Sequence, residues 1–548
     1  MTGSETKTNN EFHRALGDFI DQSTAEKAGI IEVRQGHSAP ITGLEYDSRN
    51  IKYGNLYFAL PGQHSDGHDF IADAISRGAR AIVHERELRE YREGIAYVRV
   101  KDSRFAMSPI AAGFYGFPSH RMGIIGVTGT EGKSTTVYLT YQLLKLARKK
   151  AGFISTVQFD DGLGEKWNSE HQTTPEAVTT HRLLAEMYRN GAGFAVVESS
   201  SHGLSKRTNR LGDVEFDVGV MTTVTHEHLE FHGTWEQYRS DKAELFRCLD
   251  NTPHRKQGSS GDFSVPTFGV VNADDQSADY FADCTKRNVC TFSTKGAKAD
   301  FSLRSMESRA DGNSYEVFIA STRETIAMED KLPGAFNAGN VLAALLVVSN
   351  LLSLAIEDLV PFVSELKPVR GRMTTVRRGQ PFEVLVDYAH TPSSFQTIFP
   401  SLKERVNSSG GRLISLFGSA GERDTAKRKT QGAIAARYSD IVFLADEDPR
   451  GEVPMAICEE IAQGCEADQG CEADQGCNDM IRNETLFLIP DRPAAIRKAF
   501  SLARQGDLVL LLGKGHENSI IYASGAISYD EIGEAEKALE EMGYCEKS

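Results

Sequence analysis

The chain has 548 residues, more than one hydrophobic core usually serves, so two to four domains are expected. Its 40% hydrophobic and 25% charged residues are those of an ordinary soluble globular protein. A formal net charge of -15 argues against a general nucleic-acid binder, which needs a basic face. Anionic small molecules stay open, because helix N-termini and a few Lys or Arg side chains bind phosphate within an acidic protein.

The first 14 residues are polar and lack the apolar core of a signal peptide. No later apolar run reaches the roughly 20 residues that cross a bilayer. The eight cysteines are scattered, with Cys465, Cys471 and Cys477 at six-residue spacing. That is neither a CxxC zinc pattern nor a compact disulfide framework, and a reducing cytoplasmic setting without membrane insertion is expected. Residues 1–118 hold short strand-like runs, 55–60 and 81–84, between Gly-rich turns. From Met122 the pattern changes to apolar strands followed by helices. Residues 124–127 lead into a Gly loop, and 135–148 reads as a helix with Leu139, Leu143, Leu144 and Ala147 on one side. Segments 194–198, 217–224 and 266–272 read as further strands, and 235–249 as a helix. A second series begins near Val369, with apolar runs 383–386, 413–417, 441–445 and 508–512, each ending in a Gly-, Asp- or His-rich loop. Alternating strand and helix predicts an α/β protein with parallel sheets covered on both faces. Ligands bind at the carboxyl ends of such strands, where these loops lie. Residues 464–475 read GCEADQ twice, which predicts a solvated loop expansion.

The most informative stretch is Gly126-Val-Thr-Gly-Thr-Glu-Gly-Lys-Ser-Thr135. A strand feeds a Gly-rich turn and a helix starts at Lys133, so backbone N–H groups of Gly129, Thr130, Glu131 and Gly132 and the helix N-terminus can cradle phosphate oxygens. Lys133 would reach the terminal phosphates, with the Ser134 hydroxyl on Mg2+ and Thr135 beside it. Val127 stands where the strict phosphate loop has its first glycine. Such a loop indicates a nucleoside triphosphate and leaves the reaction open.

The form TGTxGK(S/T)T resembles the phosphate loop of the Mur ligases and of their relatives, the folylpolyglutamate synthetases. Further segments match the family in order: Asp47-Ser-Arg49 with Gly54-Asn-Leu-Tyr-Phe-Ala59, Thr173-Thr-Pro175, Glu198-Ser-Ser-Ser-His-Gly-Leu204, and TTVTHEHLEFHG over 222–233. Leu332-Pro-Gly-Ala-Phe-Asn337 with Asn340, Gly371-Arg-Met373, Asp387-Tyr-Ala-His-Thr-Pro392 and Gly513-Lys-Gly-His-Glu517 complete the set. Thr223 replaces the family's usual Asn, Glu227 its Asp and Gln172 the Asn before TTP, while 417–424 reads FGSAGERD rather than FGCGGDRD. The pattern is similar to that of the muramoyl-tripeptide synthetase branch. A folylpolyglutamate synthetase would have no reason to carry the N-terminal Asp-Ser-Arg element.

The resemblance implies three domains: an N-terminal uridine-binding α/β domain over 1–118, a central P-loop ATPase domain with a parallel sheet over 119–366, and a C-terminal Rossmann-like domain over 367–548. It implies that ATP activates the carboxylate of UDP-N-acetylmuramoyl-L-alanyl-D-glutamate as an acyl phosphate, which the amine of a free diamino acid then attacks. Both steps gather anions, so cations must offset the repulsion. ATP and Mg2+ are the implied cofactors, and a monomer without nucleic-acid partners is expected. By resemblance Ser134 and Glu198 hold one Mg2+ and His228 a second. Lys242 is carried over as a carbamylated lysine that helps hold magnesium. Asn340, Arg372 and Asp387 are carried over as ATP contacts, Arg372 near phosphate and Asp387 near ribose. Ser48 is carried over for the UDP end. Thr173, Thr174, Ser200 and Arg210 are carried over for the muramoyl-dipeptide, with Arg207 a rival to Arg210.

Arg423, Asp448, Arg450, Gly513 and Glu517 match positions that hold the incoming amino acid. Enzymes of this branch using meso-diaminopimelate show DNPR, whereas this chain reads Glu447-Asp-Pro-Arg450. A carboxylate at 448 would attract a distal ammonium and repel a distal carboxylate. Lysine or ornithine is therefore expected ahead of meso-diaminopimelate.

Overall fold

A computed structural model of the chain describes residues 12–62, 65–168, 172–225, 229–253, 255–258, 261–309, 312–467 and 480–545. The chain divides into two units, Met1–Phe292 with Ala343–Ala355, and Ser293–Leu342 with Ile356–Ser548.

The first unit begins with a five-stranded sheet in the order Ile30–Arg34, Ala96–Val100, Ala81–His84, Asn55–Phe58, Gly43–Glu45. Its last four strands are parallel and Ile30–Arg34 runs against them. Helix Ser103–Phe114 follows, started by Asp102, whose carboxylate accepts the Phe105 N–H at 2.8 Å and so satisfies an orphan donor of the first turn. Residues 122–292 build a parallel sheet, in the order Ala151–Ile154, Phe194–Glu198, Gly123–Thr128, Val218–Met221, Phe268–Asn272, Asn288–Ser293. The antiparallel strands Gln158–Asp160 and Glu165–Trp167 extend it beyond Ala151–Ile154. Gly123–Thr128 is buried at every residue, which is why it reads as an unbroken apolar run instead of an alternating one. Helices Lys133–Leu146 and Trp235–Leu249 cover the sheet.

The second unit contains an antiparallel meander, Phe301–Arg309, Gly312–Ile319 and Glu324–Asp330. The sequence reading did not contain it. Its strands expose much of one face, and their apolar residues are too sparse to mark them. The C-terminal sheet has the order Thr374–Thr375, Glu383–Asp387, Leu508–Leu512, Leu413–Phe417, Ile441–Leu444, Leu486–Leu488, parallel except for its first strand. Helix Pro392–Ser409 opens with a Thr391 cap and Pro392 in the first turn and ends on Gly410 at φ 71°.

The duplicated segment corrects an expectation. The first Gly-Cys-Glu belongs to helix Pro454–Glu466, and Cys465 is buried with its thiol on the Gly432 carbonyl. A side chain at Gly464 would meet the Lys429 carbonyl oxygen at 2.0 Å, so this glycine lets two helices touch. Residues 468–479 lie outside the described residues. The described cysteines are all free thiols, and no described helix is long and apolar enough to cross a membrane.

Candidate active site

The nucleotide loop joins strand Gly123–Thr128 to helix Lys133–Leu146. Gly129 has φ 149° and Gly132 φ 81°, backbone that a side chain would strain. A Cβ on Gly129 would also lie 2.0 Å from the Thr222 hydroxyl. That hydroxyl donates to the Glu131 carbonyl at 2.5 Å, while the Thr130 N–H reaches the Thr223 carbonyl at 2.5 Å. The Thr130 hydroxyl lies 3.0 Å from the Tyr238 hydroxyl and 3.2 Å from the Thr225 carbonyl. Segment 222–225 therefore braces the loop from the neighbouring strand end. Lys133 donates to the Thr130 carbonyl at 2.7 Å, and Thr135 is half-buried one turn into the helix.

The Ser134 hydroxyl lies 3.0 and 2.9 Å from the two carboxylate oxygens of Glu198. Glu198 also accepts the Thr156 N–H at 2.8 Å, and both side chains are buried. A hydroxyl and a carboxylate converging at the phosphate loop are hard oxygen donors of the kind Mg2+ takes. Among the described residues there is no cluster of three or more His, Cys, Asp or Glu. Mg2+ keeps several waters and needs few protein ligands, so the Ser134–Glu198 pair fits it.

From Glu198 the bonds run on to the second motif. Its carbonyl accepts the Thr174 hydroxyl at 2.9 Å, which sits 2.9 Å from the Ser200 hydroxyl and accepts the Ser200 N–H at 3.0 Å. Ser200 caps helix Ser201–Leu204, accepting the Gly203 N–H. Arg210 donates to the Thr174 carbonyl at 3.0 Å and to Glu176 at 2.9 Å, and Arg104 of helix Ser103–Phe114 meets the same Glu176 at 3.3 Å. Arg207 instead donates to the Phe231 carbonyl and lies over the Phe231 ring. Between the two rivals the structure brings Arg210 to the Thr-Thr-Pro loop, where half-buried Thr173 also lies. Ser48 is buried in the short turn Ser48–Asn50 of the N-terminal sheet, where Asp47 and Arg49 pair with each other.

Lys242 is 2% exposed on helix Trp235–Leu249, its ammonium 2.6 Å from the Gly129 carbonyl and over the Tyr238 ring. A solvated helix lysine is thus excluded. Next to it Asp241 accepts from His232 at 2.7 Å, and the other ring nitrogen of His232 lies 3.0 Å from the Ser201 hydroxyl. This buried tie between the Ser-Ser-His segment and the lysine helix was missed in the sequence, although each residue sits in or beside a quoted motif. His228, the expected second metal ligand, lies outside the described residues.

In the second unit the expected contacts gather at carboxyl ends of strands. Asp387 ends Glu383–Asp387 and accepts the Met373 and Ala389 N–H groups at 2.7 Å each. Burial pushes its carboxyl above the usual range, against the pull of Arg372. Arg372 stacks over the Tyr388 ring, and Asn340 is buried in helix Asn337–Leu352 with its amide on Asn337. Burial raises the Tyr388 phenol, keeping it a donor to Glu517 at 3.3 Å. Gly513 follows strand Leu508–Leu512 at φ 98°, Arg450 adopts φ 56°, and Arg423 is exposed.

Asp448 departs from expectation. It is 8% exposed, and one carboxylate oxygen takes both the Lys514 ammonium at 2.8 Å and the Ile521 N–H at 3.0 Å. Lys514 is fully buried and also pairs with Glu517 at 2.5 Å. Asp448 is therefore not an open charge facing a ligand, and direct repulsion from it alone does not set the pocket. The sequence reading took Gly513 and Glu517 from their motif and passed over the lysine between them.

A strand, a phosphate-cradling turn and a Ser–Glu oxygen pair define a P-loop nucleotide-dependent enzyme. "Mur ligase family, catalytic domain" matches residues 40–115, "Mur ligase middle domain" 127–348 and "Mur ligase, glutamate ligase domain" 371–515. The UDP-N-acetylmuramyl-tripeptide synthetase of Treponema denticola is 49% identical over 91% of this chain and 94% of its own. The UDP-N-acetylmuramoyl-L-alanyl-D-glutamate--2,6-diaminopimelate ligase of Geobacillus kaustophilus is 35% identical over 93% and 97%. A solved 2,6-diaminopimelate ligase of the same description superposes with TM-score 0.60 at 26% identity, covering 93% of this chain and 97% of its own. The chain belongs to the Mur ligase family and is an ATP-dependent ligase.

Proposed function

We propose that this ligase adds the third residue of the peptidoglycan stem peptide, joining L-lysine or L-ornithine to UDP-N-acetylmuramoyl-L-alanyl-D-glutamate. The observation that carries the reading is the continuous run of bonds from the phosphate loop through Ser134, Glu198, Thr174 and Ser200 to Arg210. It sets a nucleotide's terminal phosphate beside a loop able to hold a carboxylate substrate.

In the first step a carboxylate oxygen of the dipeptide bonds to the γ-phosphorus and ADP leaves. In the second the amine attacks the acyl carbon, phosphate leaves, and the amine's proton is lost. Lys133 and the loop N–H groups bind phosphate, and Arg210 orients the dipeptide against Thr173 and Thr174. Ser134 and Glu198 would hold Mg2+, with His228 and a carbamate on Lys242 as a second set. Bound there, Mg2+ offsets the charge of the phosphates. Arg372, Asp387 and Asn340 contribute ATP contacts, and Ser48 the UDP end.

The choice of amino acid rests on net charge. Asp448 and Glu517 share the single ammonium of Lys514. One carboxylate of this buried cluster is uncompensated, and the distal ammonium of lysine or ornithine matches it. A panel of amino acids tests this, measuring phosphate release with the UDP-muramoyl dipeptide. Lysine or ornithine should give the highest kcat/KM. Strong selectivity for meso-diaminopimelate would overturn the charge argument, and turnover only with dihydrofolate and glutamate would overturn the reaction itself.

A further inference from the structure

The loops at 447–450 and 513–517 follow strands Ile441–Leu444 and Leu508–Leu512, which lie on either side of Leu413–Phe417. Neighbouring strands are about 4.8 Å apart, so the two loop bases are separated by roughly 10 Å. One side chain spans that gap. Arg492, in the first turn of helix Arg492–Leu502, donates to the Asp446 carbonyl at 3.0 Å and to the Leu512 carbonyl at 2.6 Å. Those are the residues immediately before Glu447 and Gly513.

The same guanidinium makes a two-pronged pair with Glu531 at 2.8 and 2.5 Å, and Glu531 accepts the Tyr529 hydroxyl at 2.5 Å. Arg492 and Glu531 are fully buried. A buried ion pair adds little net stability over an apolar pair of the same volume, so stability alone gives weak reason for one here. What a planar fork supplies is fixed geometry: two carbonyls and a carboxylate held at set directions, which a lysine ammonium cannot reproduce.

We propose that Arg492, held by Glu531, is a positioning residue for the amino-acid pocket, fixing the spacing of loops 447–450 and 513–517 from beneath. Lys514 ties the same loops further out, between Asp448 and Glu517. The inference rests on the assignment of these loops to the incoming amino acid.

The test compares full-length wild type, Arg492→Lys and Glu531→Gln. It reads KM for ATP, for the UDP-muramoyl dipeptide and for the preferred amino acid, together with amide hydrogen exchange at 446–450 and 513–517. In Arg492→Lys the amino-acid KM should rise about tenfold or more while the other two stay within about twofold, the pattern of lost binding in one pocket. Exchange in both loops should quicken. Glu531→Gln, which keeps the shape, should move the same quantities less. A folded Arg492→Lys with unchanged amino-acid KM overturns the proposal. So does an equal loss in all three KM values with a lowered Tm, which would mark a merely structural pair. A wild type that turns over no amino acid in the panel overturns the assignment of the loops, and the proposal's pocket role with it. Loop exchange would then still decide whether Arg492 fixes their spacing.

Discussion

Replacing Gly129 by alanine puts a methyl group where the nucleotide loop has no room. At φ 149° any side chain is strained, which costs on the order of 1–3 kcal/mol. The new Cβ would sit 2.0 Å from the Thr222 hydroxyl, so that hydroxyl must leave the Glu131 carbonyl it now holds at 2.5 Å. Losing that bond costs about 1 kcal/mol more. Together these come to roughly 2–4 kcal/mol in the central domain, and at about 2–4 °C per kcal/mol the Tm should fall by roughly 5–15 °C. The loop's N–H groups would also lose their alignment on phosphate. Wild type at a hundred times its Kd for MgATP gains about 2.7 kcal/mol from the ligand, and the variant should lose most of that shift. Thermal denaturation with and without MgATP, alongside the KM for ATP, reads both effects. A Gly129→Ala enzyme with Tm within about 1 °C of wild type and an ATP KM within about twofold would refute the reasoning.

Lys242→Ala should lower kcat on the order of 100-fold or more, with partial rescue by formate or acetate. Full activity together with an unmodified lysine by mass analysis of the wild type would remove the carbamate. Lys256 is fully buried, 3.1 Å from Asp217, and burial pushes that carboxyl up to about 7. Lys256→Met should therefore cost about 3–5 kcal/mol at neutral pH by leaving a buried charge unpaired. Because the folded-state pKa of Asp217 lies above its unfolded value, its contribution is full in acid and is lost as pH rises through 7. The Tm deficit of Lys256→Met should thus be larger at pH 8 than at pH 5, and a deficit independent of pH would contradict the pairing. Asp448→Asn keeps acceptors for Lys514 and the Ile521 N–H while removing the excess charge. The ratio of kcat/KM values should move toward meso-diaminopimelate by about 1–3 kcal/mol, and an unchanged ratio would return the choice to pocket shape.

The sheet strands were readable because burial on both faces makes them continuous apolar runs, as at Leu413–Phe417 and Leu508–Leu512. The meander at 301–330 was not, since strands with one wet face carry a weaker signal. Phosphate-loop chemistry was legible because glycine, lysine and serine at fixed spacing have one physical use. The charge balance around Asp448 was not, because Lys514 reaches it across 66 residues and only the parallel sheet brings them together. Arg492 carries no motif and would pass in the sequence for a surface arginine. Its two carbonyl partners are backbone atoms, which a sequence cannot mark.

The close helix contact at Gly464 makes the two GCEADQ copies unequal, although their letters are identical. At about 100° per residue, sliding the helix by one six-residue copy would turn it through roughly 600°, some 240° out of phase. The glycine of the second copy therefore cannot take the place of Gly464 against the Lys429 carbonyl by a simple slip, and the thiol of Cys471 cannot inherit the Gly432 carbonyl from Cys465. The repeat has one register in this fold, and the copy that packs is the first.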